Sequence, residues 1–186
     1  MNTAYSAMNR STRNIFLIGF MGAGKTTAGR VLARKLNLTF CDLDETVEKE
    51  LGMTINEIFS KHGEGFFRDE ESKMLRSVAQ RERQVVSTGG GVVLREENWE
   101  AMRGAGIVVY LKASAEVLYN RVKNKTTRPL LQVENPFENV KELLSRRIPL
   151  YEKADLIIDT ENLALQDVAA EITERIGKLS LIHKRN

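Results

Sequence analysis

The stretch Gly19-Phe20-Met21-Gly22-Ala23-Gly24-Lys25-Thr26 satisfies the phosphate-loop pattern GxxxxGK[ST], and its neighbours supply the context that such a loop needs. It directly follows the apolar run Ile15-Phe16-Leu17-Ile18 and opens Thr27–Leu36, where apolar residues recur at helical spacing. Strand, glycine loop and helix in that order cradle phosphate. Gly19, Gly22 and Gly24 permit positive φ and let backbone N–H groups approach anionic oxygens. The helix that follows aims its N-terminal N–H groups and the positive end of its dipole at the same oxygens. A nucleoside triphosphate is the expected ligand, held by the amides of Gly22, Ala23, Gly24, Lys25, Thr26 and Thr27. The Lys25 ammonium would bridge the β- and γ-phosphates, and the Thr26 hydroxyl would ligate Mg²⁺. A glycine turn that merely caps a helix is the plainer alternative, and it leaves the Lys-Thr pair unexplained.

Length and composition leave room for one such domain. The chain has 186 residues, of which 42% are hydrophobic, the size and make-up of a single α/β core. Residues 1–12 are polar and aperiodic and are expected to form a flexible tail, with the domain spanning 13–180. No apolar stretch nears the ~20 residues of a membrane span, and the N-terminus lacks the apolar core of a secretory signal. No membrane partner is expected, and a cytoplasmic location is. The 28 basic and 25 acidic residues are interspersed, with no run of five or six like charges, so nucleic acid is not an expected partner either. The single cysteine, Cys41, excludes an internal disulfide and reads as a small packed residue.

Beyond the loop, strands and helices alternate. Candidate strands are 14–19, 38–42, 84–88, 106–112 and 155–160, most of them short apolar runs of the kind buried on both faces. Candidate helices cover 25–36, 46–51, a segment opened by the capping box Thr54-Ile55-Asn56-Glu57, 65–81, 96–103, 115–123, 138–151 and 165–179. This pattern predicts a parallel sheet with helices on both faces.

In such sheets ligands gather beyond the carboxyl ends of the strands, so the residues there carry the chemistry. After the second strand come Asp42 and Asp44, which alternation would place on one side of an extended backbone. One could reach Mg²⁺ through water while the other accepts a proton from an attacking hydroxyl. The alternative is that one of them only caps a helix starting near Thr46. After the third strand come Ser87-Thr88-Gly89-Gly90-Gly91, three bare amides where many phosphate-loop proteins carry a metal-binding Asp. Between these elements Arg68 and Glu71 are i,i+3 neighbours that could pair and fix a guanidinium for a carboxylate substrate. The polar stretch Asn124–Asn135 contains Arg128 and could act as a lid. Arg147 lies at a helix end just before Pro149, where it could equally be a solvated charge. His62, ahead of Gly63, reads as a helix C-terminal cap, and Trp99 as core.

Taken together, GFMGAGKTT, DLD, FFRDEE, STGGG, TRPLL and RRIPLY, in this order over residues 14–160, resemble shikimate kinase. The resemblance implies a phosphate-loop fold of the nucleoside-monophosphate-kinase type, a three-layer α/β sandwich with a five-stranded parallel sheet in the order 2-3-1-4-5. It implies transfer of the ATP γ-phosphoryl group to the 3-hydroxyl of shikimate, with Mg²⁺, in a monomer. Lys25, Asp44 and Arg128 would be catalytic, Thr26 and (through water) Asp42 would hold the metal, and Arg121 and Arg128 would lie on the nucleotide. Asp44, Arg68, Gly89, Gly90, Gly91 and Arg147 would hold shikimate, with Glu71 orienting Arg68. Residues 160–163 would border adenine. The alternatives are another small-molecule kinase of this fold, for gluconate or a nucleoside monophosphate, or an ATP-binding switch that phosphorylates no metabolite.

Overall fold

A computed structural model of the protein describes residues 14–123 and 133–182. Its strands are β1 (Asn14–Ile18), β2 (Thr39–Asp42), β3 (Gln84–Ser87), β4 (Gly106–Lys112) and β5 (Leu156–Asp159). They form one parallel sheet in the order β2-β3-β1-β4-β5. The expected order is the observed one. Successive side chains of a strand point to opposite faces, and every residue of β1 and β3 is buried, so both faces of the sheet centre are covered. The two edge strands differ from the expected continuous burial: β2 is only half buried, and β5 alternates buried with exposed residues. An edge strand has a neighbour on one side only and needs less covering.

The helices are α1 (Lys25–Leu36), α2 (Leu43–Leu51), α3 (Ile55–Ala79), α4 (Glu96–Ala105), α5 (Ala115–Val122), α6 (Pro136–Tyr151) and α7 (Leu165–Ile182). One departure from the sequence reading matters for the site. Helix α2 starts at Leu43 rather than near Thr46, because the Asp42 side chain accepts from the Asp44 amide at 3.1 Å and caps it there. Asp44 therefore sits in the first helical turn, and the expected extended alternation of the two acids is wrong. Helix α3 keeps the division expected from the sequence: it is two helical stretches that meet at a kink, where Gly63 leaves the helical region (φ 81°, ψ 172°). His62 closes the first stretch, and its ring lies against Phe66, centroids 4.7 Å apart. The Thr54/Glu57 capping box is present at the start of α3. Trp99 is fully buried and donates to the Val93 carbonyl at 3.1 Å, as a core residue should. Residues 1–12 and most of the expected lid, including Arg128, lie outside the described residues.

Candidate active site

The loop between β1 and α1 has the backbone its glycines predict. Gly19, Gly22 and Gly24 take φ of 141°, 82° and 86°, and Gly24 is the N-cap of α1. The Lys25 side chain is buried under the loop, donating to the Gly19 carbonyl at 2.8 Å and the Phe20 carbonyl at 3.0 Å. One turn of loop and one ammonium thus enclose the same small volume.

Three oxygen-bearing side chains, from the first turn of α1 and the ends of β2 and β3, meet beside it. The Thr26 hydroxyl donates to Asp42 Oδ2 at 2.8 Å and lies 3.3 Å from Ser87 Oγ. Asp42 thus takes the capping role that the sequence offered, through Oδ1, while Oδ2 holds the Thr26 hydroxyl. One carboxylate and two hydroxyls suit a hard cation that keeps most of its ligands as water and phosphate oxygens, which is how Mg²⁺ is usually bound. Among the described residues no cluster of three or more His, Cys, Asp or Glu forms an all-protein metal cage.

The triple-glycine turn after β3 organises the other half of the site. A β-carbon on Gly89 would stand 2.5 Å from Glu71 Oε1 and 2.8 Å from Asp44 Oδ1. On Gly91 it would stand 2.3 Å from Arg68 Nη2, so the guanidinium lies flat against bare backbone. At Gly90 it would be 3.6 Å from Arg147 Nη1 and 3.6 Å from the Met21 amide of the phosphate loop. A side chain at Gly89 or Gly91 would push these groups out of place.

Arg68 is held from two sides. Nη1 donates to Glu71 Oε2 at 2.6 Å, while Nε and Nη2 donate to Glu64 Oε1 at 3.2 and 3.0 Å. Glu71 is fully buried, and its Oε1 has no hydrogen-bond partner among the described residues. Burial pushes the Glu71 carboxyl up from its ordinary value, with Arg68 pulling it back and Asp44 adding to the rise. Burial works against the charged form of Arg68 too, but Glu71 and Glu64 more than offset it and the guanidinium is held cationic. Arg147 lies with its guanidinium carbon 5.6 Å from the Phe20 ring centroid. It is not a solvated helix-end charge; its neighbour Arg146 is, and pairs with Glu142 on the surface.

On the nucleotide side, Arg121 joins two loops, donating to the Thr160 carbonyl at 3.0 Å and the Gly22 carbonyl at 3.5 Å. The segment after β5 is tied to Ser114, whose hydroxyl donates to Glu161 Oε1 at 2.6 Å. Thus the segment expected beside adenine is fastened to the phosphate loop through Arg121. Sequence reasoning singled out no role for Ser87, for Glu64 or for Tyr151, whose hydroxyl donates to the Gly90 carbonyl at 2.6 Å. The one signal for Ser87 was its place at a strand end.

Comparisons with known proteins agree with this geometry. A family model described as shikimate kinase matches residues 21–177. A shikimate kinase of Thermodesulfovibrio yellowstonii is 53% identical over 90% of this chain and 97% of its own length. One of Geobacter metallireducens is 44% identical over 93% and 97%. Among solved structures, a shikimate kinase from Acinetobacter baumannii in complex with shikimate superposes with a TM-score of 0.88 at 41% identity, covering 93% of this chain and 97% of that one. A gluconokinase from Sinorhizobium meliloti shares the fold, with a TM-score of 0.58 at 18% identity and coverage of 92% and 95%. Family model, relatives and site point the same way, and the chain belongs to the shikimate kinase family.

Proposed function

We propose that the protein transfers the γ-phosphoryl group of ATP to the 3-hydroxyl of shikimate, giving ADP and shikimate 3-phosphate on the route to chorismate and the aromatic amino acids. The observation that carries this reading is the Gly89–Gly91 turn. It brings Asp44, Arg68 and Arg147 around one space and abuts the phosphate loop at Met21.

The shikimate carboxylate is met by Arg68 and Arg147. Two guanidinium forks on one carboxylate fix the rotation of the ring, and so decide which hydroxyl faces the phosphate. Asp44 accepts hydrogen bonds from the ring hydroxyls, the reacting one among them. The hydroxyl oxygen forms a bond to the γ-phosphorus as the bond to the β,γ-bridging oxygen breaks, and ADP leaves with that electron pair. In a loose transition state the proton departs late, so Asp44 orients the hydroxyl and takes its proton without being a strong base. Lys25 and the loop amides hold the β- and γ-oxygens. Mg²⁺, held by Thr26 with Asp42 reached through water, would neutralise charge on those oxygens. Arg121 borders the nucleotide.

Arg128 and the segment 124–135 are proposed on sequence grounds alone to close over the phosphates, within a single domain spanning 13–180. Arg128→Ala is expected to lower kcat by ~10²-fold or more while shikimate affinity stays within a few-fold, because its charge acts on the transition state. A loss of affinity with normal turnover would move Arg128 to the static pocket. The protein is expected to act as a cytoplasmic monomer. The main test is a coupled ADP assay across hydroxylated acids: Mg²⁺-dependent ADP formation should require shikimate and be far slower with gluconate or AMP. Equal rates with gluconate would sink the assignment.

A further inference from the structure

Helix α6 sends a second polar side chain toward the acceptor half of the site. Tyr151 follows Arg147 by one helical turn, which puts the two on one face. Its ring is fully buried and stacks on Tyr110 of β4, centroids 4.9 Å and planes 23° apart. The stack fixes where the hydroxyl points. It donates to the Gly90 carbonyl at 2.6 Å; a carbonyl has no proton to give, so the direction of that bond is fixed. Arg147 Nη1 lies beside the same glycine, 3.6 Å from where its β-carbon would stand.

We propose that Tyr151 is a positioning residue for the acceptor, anchoring the Gly90–Gly91 peptide in one orientation beside the Arg147 fork. Three successive glycines cannot hold their own turn, because each has access to both signs of φ. An anchor supplied from a helix removes that freedom. In a trans peptide the carbonyl and the next N–H point in opposite directions. With the Gly90 carbonyl drawn toward the buried tyrosine, the Gly91 amide is turned the other way. This inference rests on the reading of Arg147 and the glycine turn as shikimate contacts and extends it to the residue that anchors that turn.

The test is Tyr151→Phe, which keeps the ring and its stack and deletes only the hydroxyl, with Tyr110→Phe as the control for the stack. The expected result is a shikimate KM raised about ten-fold, the loss of one buried hydrogen bond, with the ATP KM within two-fold of wild type. Tyr110→Phe should leave the shikimate KM unchanged. Because Arg147 and Tyr151 meet at the same glycine, Tyr151→Phe should add little to the shikimate KM of Arg147→Lys. A Tyr151→Phe enzyme with lowered Tm and unchanged KM for both substrates would overturn the proposal, and so would fully additive effects in the double variant. Wild-type enzyme without shikimate-dependent ADP formation would instead overturn the assigned activity, and this proposal with it.

Discussion

Glu71 is a carboxylate that burial and charge pull in opposite directions. With no exposure and one oxygen unpartnered among the described residues, it favours the proton; with Arg68 Nη1 at 2.6 Å, it favours the charge. Burial prevails, and the carboxyl titrates above its ordinary value. A carboxyl raised by folding stabilises the fold through its bound proton at low pH, and that contribution is lost as pH rises through the raised value. The consequence for function has the opposite sense. As pH falls through the raised value, Glu71 takes a proton and releases its grip on Arg68. The shikimate KM should therefore rise on an acid limb lying above the ordinary carboxylate range, and Glu71→Gln should abolish that limb and leave the KM high throughout. Superimposable pH profiles for wild type and Glu71→Gln would remove Glu71 from the clamp. This pair was legible in the sequence because i,i+3 spacing on a helix brings two side chains together whatever the rest of the fold does. Ser87 with Thr26 and Tyr151 with Gly90 were not: each pair is 61 residues apart, and only the sheet brings them together.

Helix α3 shows the same division within one element. Its capping box and its apolar pattern set its start and its buried face, and Gly63 marked the break between its two stretches, but the pattern could not show the backbone angles at that break. At φ 81° and ψ 172° that residue occupies a region almost closed to other amino acids, although a β-carbon there would meet nothing within 4 Å. The strain of a substitution would be in the backbone alone. Gly63→Ala is expected to cost roughly 1–3 kcal/mol in urea unfolding. If the helix re-straightens to relieve that strain, Glu64 and Arg68, placed just after the kink, shift together and the shikimate KM rises. An alanine variant of unchanged stability would mean that the kink does not exist in solution. Helix α2 carries the converse lesson. Its first turn was read as extended backbone beyond the strand end, and the capping bond from the Asp44 amide to Asp42, a local competition between side chain and backbone, decides otherwise.

At the scale of the whole molecule, the parallel sheet explains why so much of the site could be anticipated. Its strands end on one side, so loops far apart in sequence converge there by topology alone, and a phosphate loop on the central strand fixes where the nucleotide lies. What topology leaves open is the acceptor, since a gluconokinase at 18% identity keeps the same fold. Under the proposed function, choice of acceptor belongs to the arginines, Asp44 and the glycine turn that holds them. The central claim is that these groups present one particular hydroxyl of shikimate to the γ-phosphate. Phosphorus–proton correlation NMR of the product formed from ATP and shikimate tests this directly. The account predicts a single phosphate ester coupled to the ring proton at carbon 3, formed at least ~10²-fold more slowly by Asp44→Asn. Phosphate on another hydroxyl, only free inorganic phosphate, or undiminished product from Asp44→Asn would contradict it.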